Sequence, residues 1–112
     1  MSKLCTRHTH DLHEDIKKKG MGRYVSLNTQ DVKRKTHLWL HGAATPADFD
    51  PYVVAVLEIN KKAHEEYGIP HHHTCPLCYI DHILGMRAAT TWIDNVTDLM
   101  VVTCRTNNLK VG

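Results

Sequence analysis

The chain has no long apolar run. None of its segments approaches the roughly 18–20 residues that a membrane-spanning helix needs, so no membrane association is expected. The opening residues, "MSKLCTRHTH", lack the apolar stretch of a secretory signal. These two absences predict a reducing, cytoplasmic setting, where structural disulfides are rare. Repeats, low-complexity tracts and linkers are also missing, which predicts a single domain over residues 1–112.

What is present suits a small soluble domain. Of 112 residues, 42% are apolar and 23% charged, enough for one modest core. The net charge is only +2, but it is unevenly spread. Residues 1–42 carry nine Lys/Arg against four Asp/Glu, or +5, and residues 43–112 carry five against eight, or −3. The basic side chains cluster at Lys17, Lys18 and Lys19 and at Lys33, Arg34 and Lys35. Such clusters attract nucleic acid weakly and in a salt-dependent way. The plainer reading is a solvated helix face.

Helix boundaries are legible. Thr9 can cap a first helix with Leu12 and Ile16 on its inner face, Lys17–Lys19 in its last turn and Gly20 as its stop. "GRYVSL", residues 22–27, reads as a β-prone connector. Asn28 is an N-cap for a second helix to about His41. In that helix Leu27 can staple onto Val32, and Val32, Thr36, Trp39 and Leu40 face inward. Asp50, Pro51 at the first helical position and Gly68 just past the end bracket a third helix over 51–67. Tyr52, Val56, Ile59, Ala63 and Tyr67 form its stripe, widened by Val53 and Leu57. Ile80, Leu84, Ala88 and Trp92 recur every four residues, which predicts one further helix running through Gly85. "LMVVTC", residues 99–104, is β-branched, but its context favours more helix.

The chemistry sits in "HHHTCPLCYIDH", residues 71–82. Four cysteines in a reducing compartment suggest metal or catalysis before cross-links. Cys75-Pro-Leu-Cys78 has the form of a glutaredoxin-like redox pair. That fold places the pair near its beginning, after a strand, whereas here a helix and a loop precede it and only 34 residues follow Cys78. A zinc knuckle fits better. Zinc takes four ligands in a tetrahedron, and "LCTRH" supplies Cys5 and His8 at the same two-residue spacing as Cys75 and Cys78. The 66 residues between the pairs are too many for a finger, so the metal would clamp the two ends of a helical insert. His10, His13, His71, His72, His73, His82 and Cys104 are alternative ligands. The histidine triplet is read mainly as a solvated loop, and the cysteines can also be ordinary buried thiols. A third reading is a degenerate treble-clef (HNH-like) metal-dependent nuclease using Asp81, His82 and Asn95. It lacks room for a hairpin, since only Tyr79 and Ile80 separate the knuckle from Asp81, and no histidine follows Asn95. The plain reading of Asp81 and His82 is the first turn of a helix, where Asp faces the positive helix end.

"CTRH", "GRYVSLNTQDV" and "KKAHEEYG" running into "TCPLC" resemble a family of small early proteins of lambda-like bacteriophages, over roughly residues 5–80. The resemblance implies a homeodomain-like helical fold joined to a zinc finger, with Cys5, His8, Cys75 and Cys78 holding the zinc. The chain departs from that family in continuing through residue 112, so residues from about 80 onward are expected to form an extra helical tail. It also lacks the Trp-Phe-x-Asn-x-Arg signature of a homeodomain recognition helix, so the shape would not imply that mode of DNA reading.

The expectation is therefore a small, mainly α, zinc-stabilised phage-type accessory protein of the host cytoplasm. It would bind a host or phage protein first and nucleic acid weakly. Apolar residues over 80–102, with Gly85, Ala88 and Ala89 as a small-residue patch, predict either a symmetric dimer or a tail folded back as the domain's own core.

Overall fold

The computed structural model describes residues 4–70 and 75–106. The histidine triplet His71–His73 lies outside them. The described chain is mainly helical: α1 (Thr6–Lys18), α2 (Thr29–Leu40), α3 (Pro51–Tyr67), α4 (Pro76–Leu84) and α5 (Ala88–Thr106), with no strand among the described residues. Short 3-10 turns fill Gly22–Tyr24 and Pro46–Asp48.

The fold is built around α3. A helix with one neighbour needs one apolar stripe, but Val53, Val54, Ala55, Val56, Ile59 and Ala63 are all buried on α3, over more than one face. It accordingly packs against α1, α2, α4 and α5. Asp50 caps it from a fully buried position: Oδ1 accepts the amides of Tyr52 at 3.0 Å and Val53 at 3.4 Å, and Oδ2 accepts that of Ser26 at 2.8 Å. Lys35 Nζ stands 3.8 Å from Oδ2. Burial pushes the Asp50 carboxyl up, against the pull of these donors. Gly68 ends the helix in the left-handed conformation, φ 66°.

Helix α5 carries the other large share of the core. Ala89, Trp92, Ile93, Val96, Thr97, Met100 and Cys104 are buried along one stripe, against α1, α3 and α4. The segment expected as a tail is thus half core: part of its apolar content is internal packing, and Ile83, Leu84, Met86, Leu99 and Val102 remain exposed.

Several boundaries differ from the sequence reading. Helix α1 starts at Thr6 and is capped by Cys5, not Thr9, because the Cys5 sulfur accepts the His8 amide. "GRYVSL" makes a 3-10 turn and then irregular chain. Leu27 is 89% exposed and does not staple, and Leu40, at 60% exposed, faces outward. The helix expected to pass through Gly85 breaks there. Gly85 adopts φ 97°, ψ 167°, and Arg87 φ 80°, so α4 and α5 are separate helices folded against each other at a corner.

Candidate metal centre

Helix α1 places its ligand face by simple periodicity. His8, Leu12 and Ile16 are four residues apart and all buried, so His8 heads the same inward stripe as two core residues. Cys5 at the N-cap lies one turn before it. Helix α4 repeats the device: Cys75 is its N-cap, Pro76 fills the first helical position, and Cys78 follows within the first turn. Leu77 and Ile80 are fully buried and seat that helix in the core. Two helix N-termini therefore meet, each presenting a pair of ligands three positions apart.

The ligand atoms of Cys5, His8, Cys75 and Cys78 all lie within 4.8 Å of one another. His8 faces the sulfurs with Nδ1, which is 3.2 Å from Cys5 Sγ and 3.5 Å from both Cys75 Sγ and Cys78 Sγ. Cys5 and Cys78 sulfurs are 3.5 Å apart, and all four cysteines are free thiols. A tetrahedral zinc, with Zn–S about 2.3 Å and Zn–N about 2.0 Å, separates neighbouring ligand atoms by roughly 3.5–3.8 Å. The cluster has the donor set, the count and the spacing for such an ion.

Its electrostatics also suit a cation. Burial raises the Cys5 thiol, but the His8 amide and the Cys78 and Cys75 thiols outweigh that and hold it below the ordinary range. Cys78 goes the other way, pushed up to about 12 by burial and then by the neighbouring Cys5 and Cys75 sulfurs. Crowded sulfurs compete for negative charge, and a divalent ion among them removes the competition. The positive ends of α1 and α4 favour the thiolate forms that such an ion needs as ligands. Helices α1 and α4 are not among the closely packed helix pairs, and the cluster brings their N-terminal ends together.

The sequence-predicted quartet is thus brought together. The alternative ligands are elsewhere: His10 and His82 are exposed, Cys104 is buried in α5, and His13 packs edge-on against Tyr52 with ring centroids 4.6 Å apart. The treble-clef arrangement is not formed. Helix occupies residues 76–84 where a hairpin would be needed, and Asn95 is exposed on α5.

The basic clusters are split by their partners. Lys19 is surrounded by carboxylates, with Nζ 3.1 Å from Asp15, 2.7 Å from Asp94 and 3.0 Å from Asp98. Arg34 pairs with Asp31 at 2.9 Å and Asp48 at 2.7 Å. Lys35 is buried between Asp31 and Asp50. Lys17, Lys18 and Lys33 stay exposed, Lys17 with Glu14 at 3.6 Å. Half of the expected basic patch is engaged in internal ion pairs.

One residue of the site was named from the sequence only in other roles. Asp81 lies in the last turn of α4, not the first, and its Oδ2 is 3.5 Å from His8 Nε2. Its role depends on a helix seventy residues upstream, which no local spacing announces. Comparison with known proteins returns no matching family model, no curated relative and no solved structure of similar fold.

Proposed function

We propose that the chain is a small zinc-bearing binding module in which the metal is structural. The observation that carries this is the Cys5–His8–Cys75–Cys78 cluster, four protein donors drawn from the ends of two helices. Four protein ligands fill a tetrahedron and leave no position for a substrate or an activated water. The metal then serves to hold α1 against α4, and function lies on the helical surface.

That surface favours a protein partner over nucleic acid. Lys19, Arg34 and Lys35 are committed to carboxylates, whereas Ile83, Leu84 and Met86 are exposed together around the α4–α5 corner. The phage-type accessory role, in a host cytoplasm and with a host or phage protein as partner, is carried by the sequence resemblance alone.

The test is capture from a host lysate by zinc-loaded and chelated protein, with nuclease treatment. A partner retained only by the zinc-loaded chain, and resistant to nuclease, agrees with the proposal. Duplex binding by fluorescence anisotropy should be weak and collapse between low and physiological salt. A tight complex that survives higher salt would contradict a protein-directed role.

A further inference from the structure

We propose that Asp81 is a positioning residue for the metal centre, one carboxylate oxygen taking the Nε2–H of His8 and the other the amide of Ala89. It would fix the imidazole for ligation through Nδ1 and tie the centre to the start of α5. The proposal rests on the metal-binding reading above.

The starting point is the imidazole. Nδ1 is the nitrogen that faces the three sulfurs. A neutral ring that ligates through Nδ1 carries its proton on Nε2. That Nε2 is buried and makes no hydrogen bond. A buried donor of this kind needs an acceptor. The carboxylate facing it is Asp81, with Oδ2 at 3.5 Å, just beyond the roughly 2.7–3.2 Å of an N–H···O bond. A few tenths of an ångström separate this contact from a formed one.

The carboxylate is already anchored for the task. Asp81 Oδ1 accepts the amide of Ala89, in the first turn of α5, at 2.7 Å. A negative charge in the last turn of α4 is unfavourable for α4 itself. It is favourable for α5, whose N-terminal amides it faces across the Gly85 corner. Asp81 therefore joins three elements: His8 on α1, its own helix α4, and the start of α5.

Aspartate offers an acceptor to each neighbour, whereas asparagine has one acceptor oxygen for both. Asp81→Asn keeps the shape and can satisfy Ala89 or His8, but not the two together. Loss of such a carboxylate partner weakens metal binding by about 10–100-fold.

The experiment uses the full chain loaded with cobalt or zinc. Chelator competition should show Asp81→Asn holding the metal about 10–100-fold more weakly than the wild type, with a shifted cobalt d–d absorption. Histidine-selective NMR of the zinc-loaded wild type should show His8 protonated at Nε2, with slow exchange of that proton. If Asp81→Asn fails to fold, the NMR result on the wild type still decides. Equal metal retention and an unchanged cobalt spectrum in a folded Asp81→Asn, or an Nε2-ligated His8, would overturn the proposal alone. A wild type that takes up neither metal would overturn the underlying reading as well, and is a distinguishable result.

Discussion

Helix α1 is fastened at both ends, and the two fastenings are electrostatic opposites. At its N-terminus, Cys5 and His8 meet Cys75 and Cys78, a crowd of sulfurs with an imidazole and no side-chain cation at their centre. At its C-terminus, Lys19 sits among Asp15, Asp94 and Asp98, three carboxylates around a cation built into the chain. The Thr97 hydroxyl joins the second cluster, bonded to Asp15 and Lys19. Burial alone would lower the Lys19 ammonium, but Asp94, Asp98 and Asp15 outweigh it and hold it above the ordinary lysine value. At the Lys19 end the cation belongs to the chain itself and faces three carboxylates at any pH near neutrality. At the cysteine end any cation has to arrive from solution. On the proposed reading, one end of the helix is therefore unconditional and the other is conditional on metal.

The largest effect should come from emptying the conditional end. Structural zinc in small fingers contributes about 10–16 kcal/mol, against a net stability of about 5–15 kcal/mol for a domain of this kind. Cys75→Ser or Cys5→Ser, or a strong chelator, should unfold or markedly loosen the chain, as read by thermal melting and near-UV circular dichroism. A variant that melted like the wild type would show that these sulfurs hold nothing.

Acid should separate the ends next. Protons compete with metal for thiolates and imidazole, so the cysteine end should release zinc as pH falls below about 6. The Lys19 end has a different window. Lys19, raised in the fold, contributes fully below the ordinary lysine range and loses its contribution only as pH rises through its raised value. Asp94, lowered chiefly by its hydrogen bond to Lys19, contributes above the ordinary carboxylate range and loses its contribution as pH falls through its lowered value. Zinc release followed by a dye should precede any loss of the Lys19 contacts seen by NMR. Simultaneous loss would mean the two ends are not independent.

Lys19→Met should cost about 1–2 kcal/mol, since Asp94 and Asp98 are largely exposed and regain water when unpaired. Its cost should shrink with added salt, and zinc affinity should stay unchanged. A weakened zinc site in this variant would show that the two ends of α1 are coupled.

The smallest effect is a control away from both ends. Leu27 is 89% exposed, so Leu27→Ser should shift stability by less than about 0.5 kcal/mol. A larger loss in denaturant melts would restore the hydrophobic staple that the fold does not show.

Much of the arrangement was readable from local spacing. Both ligand pairs are three positions apart, and the bounds of α3 follow from Asp50, Pro51 and Gly68. Those signals are one helix turn long. The corner at Gly85 was not readable, because Ile80, Leu84, Ala88 and Trp92 keep their four-residue period straight across it. Only packing shows that the period is accidental: Ile80 and Trp92 are buried while Leu84 is 51% exposed. The roles of Lys19 and Asp81 were hidden for the same reason. A lysine at a helix end and an aspartate near another helix's end look like ordinary surface charges until partners about 75 residues away are in place. The Leu27 staple failed because it assumed that a residue next to a helix start packs locally, whereas Leu27 is exposed.

The most direct measurement of the central claim is the metal content of the chain, by native mass spectrometry and elemental analysis after purification without a metal-affinity column. One tightly held zinc per chain is expected, with Cys5, Cys75 and Cys78 all reduced. A folded protein containing no zinc, or one in which two of these sulfurs are joined in a disulfide, would contradict it.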